Sequence, residues 1–149
     1  KLMNHAGTLH YLYQPRAEQP VDVPVAWASV QQFLADETAC RFLWDMLSTQ
    51  FRTRAKFLAI WPSVRFVALH RNTTGQPDAL LLVSTPLNWQ IDYVVVHPDA
   101  RRQGLAAALV RTALNEAWRA QVPYVMLSSR ADLRPLYETE CGFRVVAED

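Results

Sequence analysis

The chain has 149 residues, 50% of them hydrophobic and 19% charged, with 15 basic and 14 acidic side chains. That length and mix fit one folded domain with a real core. The even charge excludes a general nucleic-acid binder, and no apolar run nears the ~20 residues of a membrane span.

No basic segment precedes an apolar one, as a secretory signal would require. The histidines and the two cysteines, Cys40 and Cys141, show no metal-ligand or disulfide spacing. A cytoplasmic setting without a metal is expected, with both thiols packed as small apolar groups. Only Lys1 and Lys56 are lysines; the other cations are arginines, which suit forked contacts to phosphate and carboxylate.

Taken in chain order, residues 1–6 are expected outside the fold, with Lys1-Leu2 before Met3 read as a vector remnant. Residues 8–14 (TLHYLYQ) alternate and are rich in strand formers, which predicts a first strand. Residues 15–24 are proline-punctuated and read as a loop. Residues 25–35 place Trp27, Val30, Phe33 and Leu34 at helical spacing. Residues 38–57 repeat the pattern through Phe42, Leu43, Met46, Leu47 and Phe51. Asp36-Glu37 either separates two helices or interrupts one. Trp27, Trp44 and Trp61 are read as core residues. Strands over 64–71 and 79–85 flank a turn dense in Asn, Gly and Pro, which predicts an antiparallel hairpin. Pro86-Leu87-Asn88 then turns the chain into the next strand.

Ile91, Tyr93, Val94, Val95 and Val96 make that strand nearly continuous in apolar residues, and His97-Pro98-Asp99 stops it. Arg101-Arg102-Gln103-Gly104-Leu105-Ala106 leads into a helix over 102–119. Leu105, Leu109, Val110, Ala113 and Ala117 face inward, and Arg111, Asn115 and Arg119 form a solvated stripe. The first amides of a helix lack intrahelical partners and its dipole adds positive potential there. A pyrophosphate can therefore dock at this turn; the plainer reading is a helix start with two solvated arginines. Pro123 starts a strand over 124–127. Asp132 is placed to cap a short helix through Glu140, with Pro135 in its first turn and Gly142 ending it. Residues 143–147 are the last strand. The sum is a mixed α/β (α+β) domain: a central, mostly antiparallel sheet with helices on both faces. Its strand–helix–strand unit over 91–127 should be parallel and right-handed.

Two motifs carry a resemblance. Arg101-x-x-Gly104-x-Ala106, after Val94-Val95-Val96-His97-Pro98, resembles the Gln/Arg-x-x-Gly-x-Gly/Ala turn of the GNAT superfamily, the acyl-CoA-dependent N-acetyltransferases. Leu136-Tyr137-Glu138-Thr139-Glu140-Cys141-Gly142-Phe143-Arg144 resembles that family's LYExxGFR segment. The resemblance covers residues 65–146. It implies the GNAT fold, in which two strands splay apart and the cofactor enters the gap. It also implies acetyl-CoA as acyl donor, and a primary amine on a small molecule, protein or peptide as acceptor, attacking without a covalent enzyme intermediate. Dimers are common in such proteins. The family often has one more strand than is read here, so that strand is missing or a partner completes the edge.

The resemblance implies roles as well. Main-chain amides over Arg102, Gln103, Gly104, Leu105 and Ala106 would cradle the pyrophosphate, with Arg101 and Arg102 supplying charge and Gly104 and Ala106 leaving room. Val94, Val95 and Val96 would run beside the pantetheine arm, a peptide-like chain that an open strand edge can pair with. Tyr137 matches the position beside the sulfur, as a general acid for the leaving thiolate; otherwise it packs at a helix end. Asp92 and Gln90 share a strand face with Val94. Asp92 there accepts a proton from the substrate ammonium, binds it, or is a strand-edge charge paired with an arginine. Relatives often carry a glutamate on this strand, and its nearest equivalent is Gln90, which is no base. Arg130 stands where many relatives have an asparagine that bonds the cofactor; an arginine could reach a phosphate. His97 shapes the turn before Pro98. The missing glutamate and the short C-terminus keep a second reading open, a GNAT-fold module that binds acyl-CoA without turnover.

Overall fold

A computed structural model of the chain describes residues 7–50, 54–85 and 88–149. Residues 1–6, Phe51 and the Pro86-Leu87 turn of the reading above lie outside them. The strands are β1 (Thr8–Tyr13), β2 (Ala26–Ser29), β3 (Val64–Arg71), β4 (Pro77–Ser84), β5 (Trp89–Val96), β6 (Val125–Arg130) and β7 (Arg144–Glu148). The helices are α1 (Val30–Leu34), α2 (Glu37–Gln50), α3 (Arg54–Ile60) and α4 (Leu105–Arg119). The seven strands form one sheet in the order β2-β3-β4-β5-β6-β1-β7. Every neighbouring pair is antiparallel except β5 and β6.

The sheet has a hydrophobic cluster on each face. Strand β4 feeds both: Leu80 and Leu82 pack with Phe42, Leu43, Leu47 and Phe57 on the α2–α3 side. Ala79, Leu81 and Val83 pack with Leu105, Leu109, Val110 and Ala113 of α4 on the other. A strand buried on both faces explains the unbroken apolar run ALLLV.

One residue reorganises β5. Leu82 opposes Tyr93, but Val83 opposes Ile91, so Asp92 has no partner on β4 and is a β-bulge. An extra residue moves every side chain beyond it to the other face. Trp89 and Ile91 accordingly pack in the α4-side cluster, whereas Tyr93 and Val95 pack in the α2–α3 cluster.

Three readings are corrected. Residues 25–35 are not one helix: Ala26–Ser29 is an edge strand pairing with β3, Trp27 opposite Ala68. Ser29 then caps α1 in a capping box with Gln32. The helical spacing of Trp27 and Val30 is coincidental, because the open edge of β3 supplies hydrogen bonds to the residues before the cap. Asp36 separates α1 from α2 by accepting from the Ala39 amide (3.1 Å). Between β6 and β7, the expected helix is a 3-10 turn (Ala131–Leu133) and a π-helix (Pro135–Glu140). Asp132 does not cap it but pairs with Arg130 (3.2 Å). Gly142, at φ 85°, ends the π-helix in the left-handed region. At this end β7 is the edge strand of the sheet. The chain's own β1 lies between β6 and β7, antiparallel to both.

The solvated stripe on α4 is corrected too. Asn115 is buried, and its amide clasps the main chain of Gln19 in the loop that follows β1. The Gln19 amide donates to Oδ1 (2.7 Å) and Nδ2 donates to the Gln19 carbonyl (2.8 Å). Arg119 pairs with Glu18 (2.8 Å) beside it, and Arg111 donates to the Glu140 carbonyl (2.6 Å). The loop thus crosses the α4 face that periodicity assigns to water. Among the described residues no helix is long and apolar enough to cross a membrane.

Asn115→Ala should strand both main-chain groups of Gln19. The expected cost is about 2 kcal/mol, read as a Tm fall of roughly 5 °C, while Arg119→Ala, on an exposed pair, changes Tm by less than ~2 °C.

Candidate active site

Strands β5 and β6 pair only at Trp89–Val125 and Gln90–Met126, and then separate. Between them opens a cavity of about 1020 Å³. It is lined from β5 by Asp92, Val94 and Val96 and from β6 by Ser128, Ser129 and Arg130. Arg101, Arg102 and Gly104–Ala107 close one end, and Leu133, Leu136, Tyr137 and Glu140 another.

The loop before α4 is built by its backbone. His97 accepts from the Asp99 amide (3.0 Å) and caps the turn Pro98–Ala100. Arg102 (φ 65°) and Gly104 (φ 73°) are both left-handed. That costs a non-glycine residue such as Arg102 about 1–2 kcal/mol, and left-handed residues in a turn make the anion-binding concavities called nests. Ala108 donates to the Gly104 carbonyl (3.0 Å), so the amides before it start the helix without carbonyls behind them. A Cβ at Gly104 would meet no protein atom within 4 Å: the space over the loop is open. Arg101 and Arg102 are exposed. These features fit a diphosphate.

Asp92, the bulge residue, lines the cavity. Ser84 lies beside its carboxylate and favours the charged form, yet Oδ2 is buried without a partner. Burial pushes its pKa up to about 6, Ser84 opposing. An unpaired buried oxygen of this kind is a proton acceptor awaiting a donor.

Tyr137 is buried on the π-helix, a form frequent at functional sites. Burial pushes its phenol up to about 12, against a hydrogen bond with the Ser129 side chain. It therefore stays protonated at neutral pH, as a donor.

The cavity thus brings together Asp92, Val94, Val96, Arg101, Arg102, Gly104, Leu105, Ala106, Arg130 and Tyr137. Val95 points into the opposite core, as strand alternation requires. Gln103 is exposed and is not among the lining residues, and neither is Gln90. The shared face of Gln90 and Asp92 is a correction: Asp92 is itself the extra residue, and it breaks the alternation that put Gln90 beside it. Asp92 does not pair with an arginine; its partner is Ser84. Ser84 and Ser129 escaped sequence reasoning, since a lone serine in a strand carries no signal. Among the described residues no group of three or more His, Cys, Asp or Glu could hold a metal.

The family model described as "Acetyltransferase (GNAT) family" matches residues 27–143. A GCN5-related N-acetyltransferase of Sphaerobacter thermophilus superposes with a TM-score of 0.70 at 19% identity, over 93% of this chain and 48% of its own. A GCN5-related N-acetyltransferase of Kribbella flavida gives 0.62 at 18%, over 95% and 58%. The ribosomal-protein-alanine N-acetyltransferase of Brucella melitensis gives 0.54 at 19%, over 78% and 90%. The chain thus spans about half the length of the first two. No curated protein sequence matches it. With the family model matched over most of its length, and the splayed strands and phosphate-type loop in place, the chain belongs to the GNAT family of acetyltransferases.

Proposed function

We propose that the chain is an N-acetyltransferase that moves an acetyl group from acetyl-CoA to a primary amine by direct attack. The observation that carries this reading is a proton acceptor, Asp92 Oδ2, and a protonated donor, Tyr137, lining one cavity with the phosphate-type loop.

Bound acetyl-CoA would supply the acetyl group as a thioester, activated toward amines. The loop over Arg101–Ala106 is suited to its diphosphate, and Arg130, paired with Asp132, lines the same cavity. The open edge of β5 beyond Gln90 offers amides and carbonyls to a peptide-like arm. Asp92 accepts the proton that an attacking amine must shed. A pKa near 6 makes it a stronger base than an ordinary carboxylate, yet leaves it mostly ionised at pH 7. Tyr137 faces the departing thiolate. A thiol has a pKa near ~8.5, far below that of Tyr137, so the phenol does not surrender its proton fully. It stabilises the thiolate by a donated hydrogen bond.

Asp92→Asn should lower kcat for acetyl transfer by about 10²-fold or more, and kcat/KM of the parent should rise with pH through about 6. The sign for stability is opposite. The raised pKa means that the fold favours the protonated carboxyl, so this contribution is intact below pH ~4 and lost as pH rises through about 6. Asp92→Asn should therefore melt a few degrees above the parent at pH 8 and level with it at pH 4. Tyr137→Phe should lower kcat about tenfold to hundredfold at every pH from 6 to 9 while coenzyme A binding, read by calorimetry, persists. A parent that binds coenzyme A but acetylates no amine in a broad panel would instead be a non-catalytic acyl-CoA-binding module.

A further inference from the structure

We propose that Tyr11, on the N-terminal strand, is a positioning residue for Tyr137; the inference rests on the sulfur-facing role given to Tyr137 above. Tyr11 is 1% exposed. Its ring centroid lies 5.3 Å from that of Tyr137, and Phe143 closes a triangle at 6.2 Å from Tyr11 and 6.1 Å from Tyr137. Tyr137 sits on a six-residue π-helix, and its carbonyl accepts from the Phe143 amide (3.0 Å), which holds the main chain but leaves the ring to its side-chain neighbours. The constraint on its ring is this aromatic wall on one side and the Ser129 hydroxyl at its tip.

Tyr11 is suited to be the fixed member. Its main chain is held from both sides, opposite Leu127 of β6 and Val145 of β7. Its own hydroxyl is buried without a hydrogen-bond partner. An orphaned hydroxyl weakens a core, so the ring face, not the hydroxyl, is what this position contributes. Without the ring, the space behind Tyr137 opens and its phenol can turn back from the cavity. Binding of the nucleotide end, made by the distant loop before α4, does not depend on this contact.

The test compares coenzyme A with desulfo-coenzyme A, which lacks the thiol, by calorimetry, alongside acetyl-transfer kinetics. The parent should bind coenzyme A about threefold to tenfold more tightly than the desulfo form, the worth of one hydrogen bond, and Tyr137→Phe should abolish the ratio. Tyr11→Leu should also bring the ratio near one and cut kcat about tenfold, with desulfo-coenzyme A affinity and KM for acetyl-CoA within twofold of the parent. Tyr11→Phe, which keeps the ring, should retain both ratio and kcat and melt no lower than the parent. Should Tyr11→Leu not fold, Tyr11→Met carries the same test. The inference is overturned if the ring-less variant keeps the parent's ratio, if it loses desulfo-coenzyme A affinity in step with kcat, or if the parent shows no ratio. A parent that shows the ratio but acetylates no amine sinks the enzymatic reading alone, and the variants' ratios still decide the role of Tyr11.

Discussion

The site depends on one extra residue. With Asp92 left over between β4 and β5, the strand reverses which face each later side chain serves. Val94 and Val96 turn to the cavity only because Tyr93 and Val95 have been moved to the α2–α3 core. A bulge also bends its strand and sharpens the twist, and β5 loses β6 just before this point. The wedge, the free strand edge and the unsatisfied carboxylate therefore have one local origin. Without the bulge, Gln90 would share the face of Asp92 and Val94, as plain alternation predicts.

The second dependence is long-range. Strand β6 forms the far wall of the wedge, and its other edge is covered by β1 from the opposite end of the chain. The loop after β1 is then tied to α4 through Asn115 and to the end of the π-helix through Gln19, whose side chain donates to the Cys141 carbonyl (2.8 Å). The N-terminal segment is thus a brace behind the cavity. It contributes no lining side chain and fixes the elements that do.

How much of this was legible follows from range. The strand–turn–helix at Arg101 and the Tyr137 segment are local: the helix start after a basic turn suggested a phosphate loop, and the resemblance of the Tyr137 segment to the GNAT motif implied its place beside the sulfur. The β3–β4 hairpin was legible for the same reason, its turn chemistry standing between two apolar runs. What failed was tertiary. Trp27 sits at helical spacing but answers to an open strand edge, and the helix starts only after it, at the Ser29–Gln32 capping box. Asn115 looks solvated until a loop nearly a hundred residues away is laid across it. The bulge has no signature in WQIDYVVV, because whether a strand holds an extra residue depends on the strand it pairs with. Tyr11 reads as one of several strand aromatics until β1 is inserted beside β6.

Desolvation acts twice in this cavity, and its two effects are complementary. It raises the pKa of Asp92 and of Tyr137 alike, because both ionise to anions. From a low starting point the shift carries the carboxyl toward neutrality and makes it a better base, still charged at pH 7. From a high starting point the same shift carries the phenol further from neutrality and makes it a permanent donor. No neighbouring charge has to be tuned to separate acceptor from donor. Burial alone suffices, with Ser84 beside Asp92 favouring the charged carboxylate against it. Ser84 is in that sense part of the arrangement that keeps Asp92 an acceptor while Tyr137 stays a donor.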